Sequence, residues 1–403
     1  MNQVDVAIVG AGPAGSSAAI FLARKGYSVA LIDKEQFPRE KLCGDFINPA
    51  NWPSLRALGV VENIFARHHE KVTKFRLTAS SGEEAEVALS ADSDRDGAGL
   101  GLSRLDLDEI LLEKAASEGA TVFQRSRIKG LTRGLKTWTL EIDRGRILQQ
   151  LRAPMLIGAD GRNSWVAHHL GMTGRTAMRA SSVGFQLHLN SSHPSNGKIE
   201  IHLFPGGYAG IVGLGDHTLT LGFAIEKSRL YHRQSPQQVL NSSLALNPHL
   251  KDILHRNQIV GAMRSTYPVY FPSRRSHGEG VLLVGDAARV SEPVTGEGVY
   301  FALKSGELAA LTIDQAFCKS DFSAASLHRY ERDCRSAFAV RRRANALIRW
   351  LIYRPVLLAP LIRLSSTRTR LLDSVVRMIC EPSPPLYDPS SLSPRARYHS
   401  ERM

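Results

Sequence analysis

Apolar and small residues alternate in a regular order near the start of the chain. Val4 to Val9 is almost wholly apolar, as expected for a strand that is buried on both faces of a parallel sheet. Ser16 to Lys25 carries small and apolar residues at helical spacing, and Tyr27 to Ile32 is a second apolar run. The pattern predicts a strand, a helix and a second, parallel strand.

The rest of the chain mixes helical and strand periodicity. Leu105 to Ser117 predicts a helix, because its apolar residues recur on one face. Three further strands are predicted at Thr121–Phe123, Trp138–Ile142 and Val281–Val284. A turn at Pro293–Gly298 and a helix at Val299–Ala310 follow them. Apolar and polar residues alternate over Ser182–Leu189, Lys198–Leu203 and Leu219–Ile225. This alternation predicts antiparallel strands of a separate sheet with one open face.

Three glycines lie between the first strand and the first helix. Gly10, Gly12 and Gly15 have the spacing G-x-G-x-x-G, which allows a tight turn, close approach of a pyrophosphate and close helix–strand packing. Free amide groups at the helix start attract phosphates. Asp33 ends the second strand, where its carboxylate can accept hydrogen bonds from ribose hydroxyls. A glycine-rich turn without a ligand is the alternative, but all parts occur in order, so a dinucleotide site is predicted.

Two later acids decide between NAD and FAD. Apolar strands end at Asp160-Gly161 in "PMLIGADGRNSWV" and at Gly285-Asp286 in "GEGVLLVGDAARVSEPVTGEG". A second acid so far along the chain indicates a ligand that reaches across the fold. Extended FAD is such a ligand, because its ribityl hydroxyls need a carboxylate, whereas NAD would leave the second site unused. The sequence therefore predicts FAD.

Composition places the chain among globular proteins. It has 403 residues, of which 43% are hydrophobic and 22% charged. Its four cysteines are scattered without a C-x-x-C pair, which predicts neither disulfides nor a metal site and favours a reducing cytosol. The N-terminus enters a buried strand without a basic region or cleavage site, so a secretory signal is not expected.

The net charge of +13 is concentrated at the C-terminal end. Residues 341–403 contain twelve arginines and four acids, a net charge of +8. The stretch "RRRANALIRWLIYRPVLLAPLIRL" interleaves arginine with apolar residues in runs too short to span a bilayer. It predicts either a basic amphipathic segment on an anionic membrane surface or a helical cap with solvated arginines. Nucleic acid is not expected as a partner, because no stacking aromatics accompany the charge.

The combined motifs resemble the para-hydroxybenzoate-hydroxylase-like superfamily of FAD-dependent oxidoreductases. Within it the chain resembles the geranylgeranyl reductase family, through "KLCGDFINP", "FPGGYAGIVGLGDHTLTLGF" and "PVTGEGVYFALKSGELAA". The resemblance covers roughly residues 1–315.

The resemblance implies roles for individual residues. Gly10, Gly12, Ala14 and Gly15 would hold the FAD pyrophosphate and Asp33 the adenosine ribose, and Lys34 is a further candidate for cofactor binding. Arg104 would lie near the flavin, and Gly296 and Gly298 would offer amides to it. Asp160 and Gly161 match the family's Asp-Gly motif. Asp286 matches the acid that binds the ribityl chain, and Gly285 is the glycine that precedes this acid in the motif. For Arg104 a surface helix cap is the alternative, and for Asp160 a turn residue.

The fold class expected from these motifs is α/β: a Rossmann-type FAD-binding domain with an inserted antiparallel-sheet substrate domain and a helical C-terminal extension. The FAD-binding domain is assigned to residues 1–70, 101–175 and 273–315. The substrate domain is assigned to residues 71–100 and 176–272, where its sheet would lie over the flavin. Residues 316–380 form the basic helical region, and residues 381–403 are predicted to be a loose tail.

The favoured function is reduction of carbon–carbon double bonds in a polyprenyl or other lipid chain. Cys43, near the flavin by resemblance, is a candidate for proton delivery, with a small packing residue as the equal alternative. Tyr208 is a second catalytic candidate. The chain departs from the reductases' Y-x-W-x-F-P stretch, since Gly210 replaces Trp, which favours a different or bulkier substrate.

Two other functions stay open. One is FAD-dependent hydroxylation of a polyketide, phenolic or lipid substrate, and the other is a non-redox flavoprotein such as a carotenoid cyclase. No second nucleotide fingerprint follows the first, so NAD(P)H would bind only transiently, as electron donor. The expected location is cytoplasmic, peripheral to the inner face of the membrane, with a lipophilic small molecule as substrate.

Overall fold

The computed structural model describes residues 2–89, 97–145, 147–173, 182–192, 195–230, 236–271, 273–354, 358, 360, 362–363 and 370–381. The strands, in chain order, are β1 (Asn2–Gln3), β2 (Val6–Val9), β3 (Val29–Ile32), β4 (Phe46–Ile47), β5 (Glu70–Val72), β6 (Lys74–Thr78), β7 (Glu84–Ala88), β8 (Gly99–Gly101), β9 (Thr121–Phe123), β10 (Arg127–Arg133), β11 (Trp138–Asp143), β12 (Leu148–Ala153), β13 (Met155–Gly158), β14 (Ser182–Asn190), β15 (Lys198–Phe204), β16 (Gly207–Gly213), β17 (Thr218–Glu226), β18 (Gln258–Thr266), β19 (His277–Gly278) and β20 (Val281–Leu283). The helices are α1 (Pro13–Arg24), α2 (Trp52–Leu58), α3 (Val61–Phe65), α4 (Arg104–Ser117), α5 (Trp165–His169), α6 (Pro236–Ser243), α7 (Pro248–Arg256), α8 (Gly298–Lys319), α9 (Ala324–Ala337), α10 (Ala339–Ile352) and α11 (Arg370–Cys380).

A central sheet orders its strands β19-β20-β13-β2-β3-β9. All neighbours from β20 to β9 are parallel, and β2, β3 and β13 are buried along their whole length, which explains their continuous apolar sequences. Helices α1 and α8 pack on one face of it within the main hydrophobic core. Asp33, Asp160 and Asp286 all follow strands of this sheet, so they lie at its carboxyl edge, where α/β folds bind ligands.

A larger sheet orders its strands β18-β14-β17-β16-β15-β6-β7. Its neighbours are antiparallel except for β15 and β6. One face packs on α6 and α7, and the other, which carries Ile201, Leu203 and Tyr208, packs against the end of α10. Successive residues of each strand point to opposite faces of the sheet, so both faces carry apolar residues, and each face packs against a different group of helices. The predicted fold class, a parallel-sheet domain with an antiparallel sheet and C-terminal helices, is confirmed.

Two smaller sheets complete the described strands, β1-β12-β11-β10 and β4-β8-β5. Among the described helices, none has both the length and the apolar composition needed to cross a bilayer. Helix α8 runs to Lys319 rather than ending at Ala310, because Ile313 and Ala316 continue its buried stripe. Helix α1 begins at Pro13, three residues before the predicted start, since proline is favoured in the first helical turn. The domain boundaries stay a prediction, and the predicted tail lies, from residue 382 on, outside the described residues.

Candidate active site

One cavity of about 920 Å³ collects most of the residues predicted for the site. It runs from the end of β2 to the face of the large sheet that α10 covers. The predicted site residues that line it are Gly10, Gly12, Ala14, Asp33, Lys34, Cys43, Arg104, Asp160, Gly161, Tyr208, Asp286, Gly296 and Gly298. Gly15 and Gly285 lie behind its wall. Segments that are far apart in sequence therefore meet around one elongated space.

The glycine-rich turn is shaped for close backbone approach. Gly10 has φ of +106°, and a Cβ there would overlap the backbone of Ala159. A Cβ on Gly15 would overlap the carbonyl oxygen of Gly10, so helix α1 packs directly on the turn. Gly12 is the N-cap of α1, with no side-chain cap and no acid in the first turn. The helix thus presents free amides and the positive end of its dipole to the cavity.

Asp33 is tied to this turn by its carboxylate. Its Oδ2 accepts a hydrogen bond of 2.8 Å from the amide of Ala11, and its Oδ1 one of 2.9 Å from Glu35. The carboxylate is nearly buried yet lines the cavity, so it is held in place beside a ligand. Lys34, next to it, is exposed and lies 3.7 Å from Glu35, a surface ion pair of small energetic value.

A buried carboxylate that the sequence analysis missed organises two arginines at the cavity wall. Asp108 is fully buried and accepts bonds of 2.7 and 2.9 Å from Arg104 and lies 3.2 Å from Arg39. The Arg39 guanidinium is 3.3 Å from where a Cβ of Gly12 would lie. Arg104 is therefore a nearly buried residue of the cavity rather than a surface cap. Asp108 thus holds two cations at the cavity wall, and one of them, Arg39, lies beside the start of α1, where it suits a diphosphate.

The two later acids behave differently. Asp160 accepts bonds of 2.5 Å from Ser164 and 3.0 Å from the amide of Val166, so both its oxygens cap the start of α5. Its contribution to the cavity comes from its backbone, which packs behind Gly10. Asp286 is more open, and its carboxylate lies 3.8 Å from Arg162. Of the two, Asp286 has the oxygens available to a ligand's hydroxyls.

The glycines of the later motif, Gly285 and Gly296, pack against residues from the N-terminal part of the chain. Gly285 lies against Ala14, where an added Cβ would be 2.8 Å from the Ala14 Cβ. Gly296 has φ of +63°, and a Cβ there would be 2.8 Å from the Phe46 ring. Gly298 begins α8 with open space beside it. The turn that ends at Gly298 lines the cavity and lies against the Phe46 ring.

Cys43 lies at the cavity wall in a polar cluster that the sequence analysis did not find. Its amide donates to Gln186 at 3.3 Å, and Gln186 donates to Asp45 at 3.0 Å. Burial raises the pKa of the Cys43 thiol, so the thiol is the stable form. Burial also raises the pKa of Asp45 to about 6, against a hydrogen bond of 2.8 Å from Thr220. A single acid in "CGDF" gives no sign in sequence that it is buried.

Tyr208 projects from β16 into the cavity on the side covered by α10. Its hydroxyl donates a bond of 2.7 Å to Glu292, which precedes the turn that ends at Gly298. Burial raises the pKa of the Tyr208 phenol well above its ordinary value. On the same face, Gly210 pairs with Gly222 across the strands, and both line the cavity. The wall beside Tyr208 is therefore open where the reductase motif would place an aromatic ring.

The residues present fit an extended FAD. Open space over the uncapped N-terminus of α1, with Arg39 beside it, suits the pyrophosphate. Asp33 and Asp286 both line the cavity, and their carboxylates could accept hydrogen bonds from a ligand's hydroxyl groups. A family model described as an FAD binding domain matches residues 3–339. The chain belongs to this family. The family membership confirms the prediction that the protein binds FAD. NAD(P)H as electron donor stays a prediction.

Curated relatives are similar over most of this chain. A digeranylgeranylglycerophospholipid reductase from Methanothrix thermoacetophila is 30% identical over 344 residues, covering 83% of this chain and 84% of the relative. Conditioned medium factor receptor 1 from Dictyostelium discoideum is 29% identical over 350 residues, which are 81% of this chain but 66% of the relative. The predicted resemblance to geranylgeranyl reductases is confirmed, and the protein is an FAD-dependent oxidoreductase.

Solved structures share the fold. A geranylgeranyl bacteriochlorophyll reductase-like protein from Thermoplasma acidophilum aligns with a TM-score of 0.79 and 22% identity, covering 95% of this chain and 97% of that one. The flavin-dependent brominase Bmp2 aligns with a TM-score of 0.78 and 24% identity, covering 94% and 93%. At these identities the similarity shows the fold alone. Because the fold serves both proteins, the roles of individual site residues and the substrate stay predictions.

Proposed function

We propose that the protein is an FAD-dependent reductase of carbon–carbon double bonds in a lipid chain. The supporting observation is the continuity of the cavity from the cofactor residues into an apolar channel. The channel lies between the large sheet and the C-terminal helices, and its aliphatic lining comprises Leu77, Ile199, Ile201, Leu203, Ile348, Leu351, Ile352, Leu372, Val376 and Ile379. An elongated hydrocarbon suits such a lining, since each buried CH₂ contributes about 0.8 kcal/mol.

Bound FAD, once reduced, supplies the electron pair for this chemistry. The chain's own residues bind and orient the partners. Asp33, Arg39 and Arg104 anchor the cofactor's polar end, and the turn ending at Gly298 directs amides at its other end. The channel excludes water and presents the hydrocarbon near Tyr208 and Cys43. The relatives named as reductases of geranylgeranyl lipids support the assignment.

The test is anaerobic reoxidation of the reduced protein. We expect digeranylgeranylglycerophospholipid in detergent micelles to restore the oxidised flavin spectrum without oxygen, while the same lipid with saturated chains does not. Reoxidation that requires oxygen and yields a hydroxylated product would contradict the reductase and favour the hydroxylation alternative. Adding NADH or NADPH to the oxidised protein tests the proposed transient donor, because a true donor bleaches the flavin before any lipid is present.

We further propose that the protein contacts anionic membranes through α10 and α11. This outer surface exposes Leu347, Trp350 and Met378, which are 58%, 48% and 43% exposed. Four exposed arginines lie in these helices or directly after α10, namely Arg343, Arg354, Arg370 and Arg377. Leu347 also lines the apolar channel, so the channel reaches the surface at this point. Exposed apolar groups together with exposed arginines match the interfacial region of an anionic bilayer.

A double substitution tests the membrane contact. Leu347→Glu with Trp350→Glu should weaken co-sedimentation with phosphatidylglycerol vesicles by about tenfold or more, because each buried apolar side chain contributes about 1.5–3 kcal/mol. Binding of the unchanged protein should also weaken as salt is added. Leu246→Glu is the matched control, since Leu246 is 48% exposed but lies beside the helices on the opposite face of the large sheet. Equal sedimentation of the double variant and the control would refute the contact.

A further inference from the structure

Behind Tyr208 the structure places a second ionisable group that the reaction outlined above has not used. Glu292 is 1% exposed, and its Oε1 lies 2.7 Å from the Tyr208 hydroxyl. Its Oε2 lies 3.2 Å from Nε of Arg349, a side chain of α10 that is 31% exposed. Tyr208 at the cavity wall, the buried Glu292 carboxyl and the partly exposed Arg349 guanidinium are therefore connected by two successive contacts.

We propose that Tyr208 and Glu292 form a two-step proton relay for reduction of the double bond, with Glu292 as the buried proton store. The inference rests on the proposed reductase function and adds the source of the proton. Reducing a carbon–carbon double bond takes one electron pair and two protons, which are delivered as one hydride and one proton. Bound FAD, reduced by a nicotinamide donor, would supply the hydride to one carbon, and Tyr208 donates the proton to the other carbon.

The relay is needed because Tyr208 cannot be left charged. The phenol is buried among Leu203, Ala224 and Val269, so a lone phenolate there would be strongly disfavoured. As the phenol O–H bond breaks toward the substrate carbon, the Glu292 O–H proton moves to the phenol oxygen. The O–O distance of 2.7 Å serves a hydrogen bond in either direction, so this transfer needs no movement of heavy atoms.

The charge that the transfer leaves behind has a partner. It ends on the Glu292 carboxylate, where Arg349 lies within ion-pair distance of the second oxygen. Arg349 is partly exposed, which gives water a short way to the pair for restoring the proton between turnovers. Backbone bonds hold Glu292 in place, since Asn345 accepts a bond of 3.2 Å from its amide and donates one of 3.1 Å to its carbonyl. Asn345 is thus a positioning residue.

Burial outweighs the charged and titratable groups that face the pair, so the carboxyl is neutral before the reaction. Arg349 and Tyr353 face it from α10, and Arg162 from the loop after β13. Burial raises the pKa of Glu292, and the two arginines oppose that rise without cancelling it. Tyr353 accepts a bond of 3.0 Å from Ser182 and is not part of the cavity lining named for the site. The relay therefore involves Tyr208 and not the neighbouring phenol.

Variants at the two phenols and the carboxyl test the relay in the holoprotein. With digeranylgeranylglycerophospholipid as oxidant under anaerobic conditions, Tyr208→Phe should slow reoxidation of the flavin about 10²-fold or more, the usual size of a general-acid contribution. In the unchanged protein the rate should fall as pH rises through the Glu292 pKa, above the ordinary glutamate value of about 4.3. Glu292→Gln should remove that pH dependence, and Tyr353→Phe should keep both rate and pH dependence.

A second measurement needs no lipid. Infrared difference spectra of the holoprotein, oxidised minus photoreduced, should contain a protonated-carboxyl C=O band that shifts in D₂O and is missing in Glu292→Gln. Unchanged reoxidation in Tyr208→Phe, or a pH dependence that persists in Glu292→Gln, overturns the relay while leaving the reductase function standing. A protein that no lipid reoxidises refutes the function instead, and the carboxyl band then decides separately whether Glu292 stores a proton.

Discussion

Asp108→Ala empties the protein of FAD and lowers its free energy of unfolding by about 3–5 kcal/mol, the range expected when one partner of a buried ion pair is removed. Asp108 is fully buried and serves both Arg104 and Arg39. Without it, two nearly buried guanidinium groups lose their common anion, and Arg39 loses the contact that holds it beside the glycine turn. We expect flavin absorbance per protein to fall to near background and the thermal midpoint to drop.

The control for this prediction lies two residues away. Asp106 belongs to the same helix, is partly exposed, and its carboxylate is 3.6 Å from Arg67. Such a pair contributes about 0–1 kcal/mol, so Asp106→Ala should keep both the flavin and the thermal midpoint. If Asp108→Ala retains FAD as Asp106→Ala does, the diphosphate is held by the α1 amides alone and the arginines are not part of its site.

Asp106 and Asp108 also show where sequence reasoning ended. The placement of the glycine turn and Asp33 at the cavity could be predicted, because each part follows the last within one strand–helix–strand unit. In "SRLDLDEILL" the two aspartates look alike, and only the packing of α4 against the cavity shows that one is buried. Arg39 was missed for the same reason, since nothing in "FPREKLCG" marks a side chain that returns to Gly12.

The sequence also left the role of the C-terminal region undecided. Its arginines and apolar residues left a membrane surface and a helical cap as alternatives, because periodicity does not tell which arginines are solvated. In the structure α10 divides them: Arg341 is buried at Glu297, while Arg343 is exposed. The same helix therefore covers the channel with one side and leaves a basic surface on the other. The two interpretations are compatible, since different residues carry them.

Arg341→Ala should detach α11 and disturb the flavin environment together. Arg341 lies 3.0 Å from Glu297 and also donates to the carbonyl oxygens of Ile379 and Glu381, at the end of α11. Glu297 directly precedes Gly298 in the turn that faces the cofactor. Losing this buried partner should cost about 3–5 kcal/mol. We expect a lower thermal midpoint, faster tryptic cleavage between α10 and α11, and a shifted visible flavin spectrum.

The pH dependence of this loss distinguishes it from a packing defect. Burial raises the pKa of Glu297 and Arg341 opposes the rise, so in Arg341→Ala the pKa rises further. The native variant then binds more protons than its unfolded chain, and its stability must fall as pH rises from the ordinary glutamate pKa to the raised one. Below that window the carboxyl is neutral, and the variant recovers most of the stability that it lost. Arg343→Ala, the exposed control, should match the unchanged protein throughout, and a deficit in Arg341→Ala that is constant from pH 4 to 8 would show that no buried charge had been left behind.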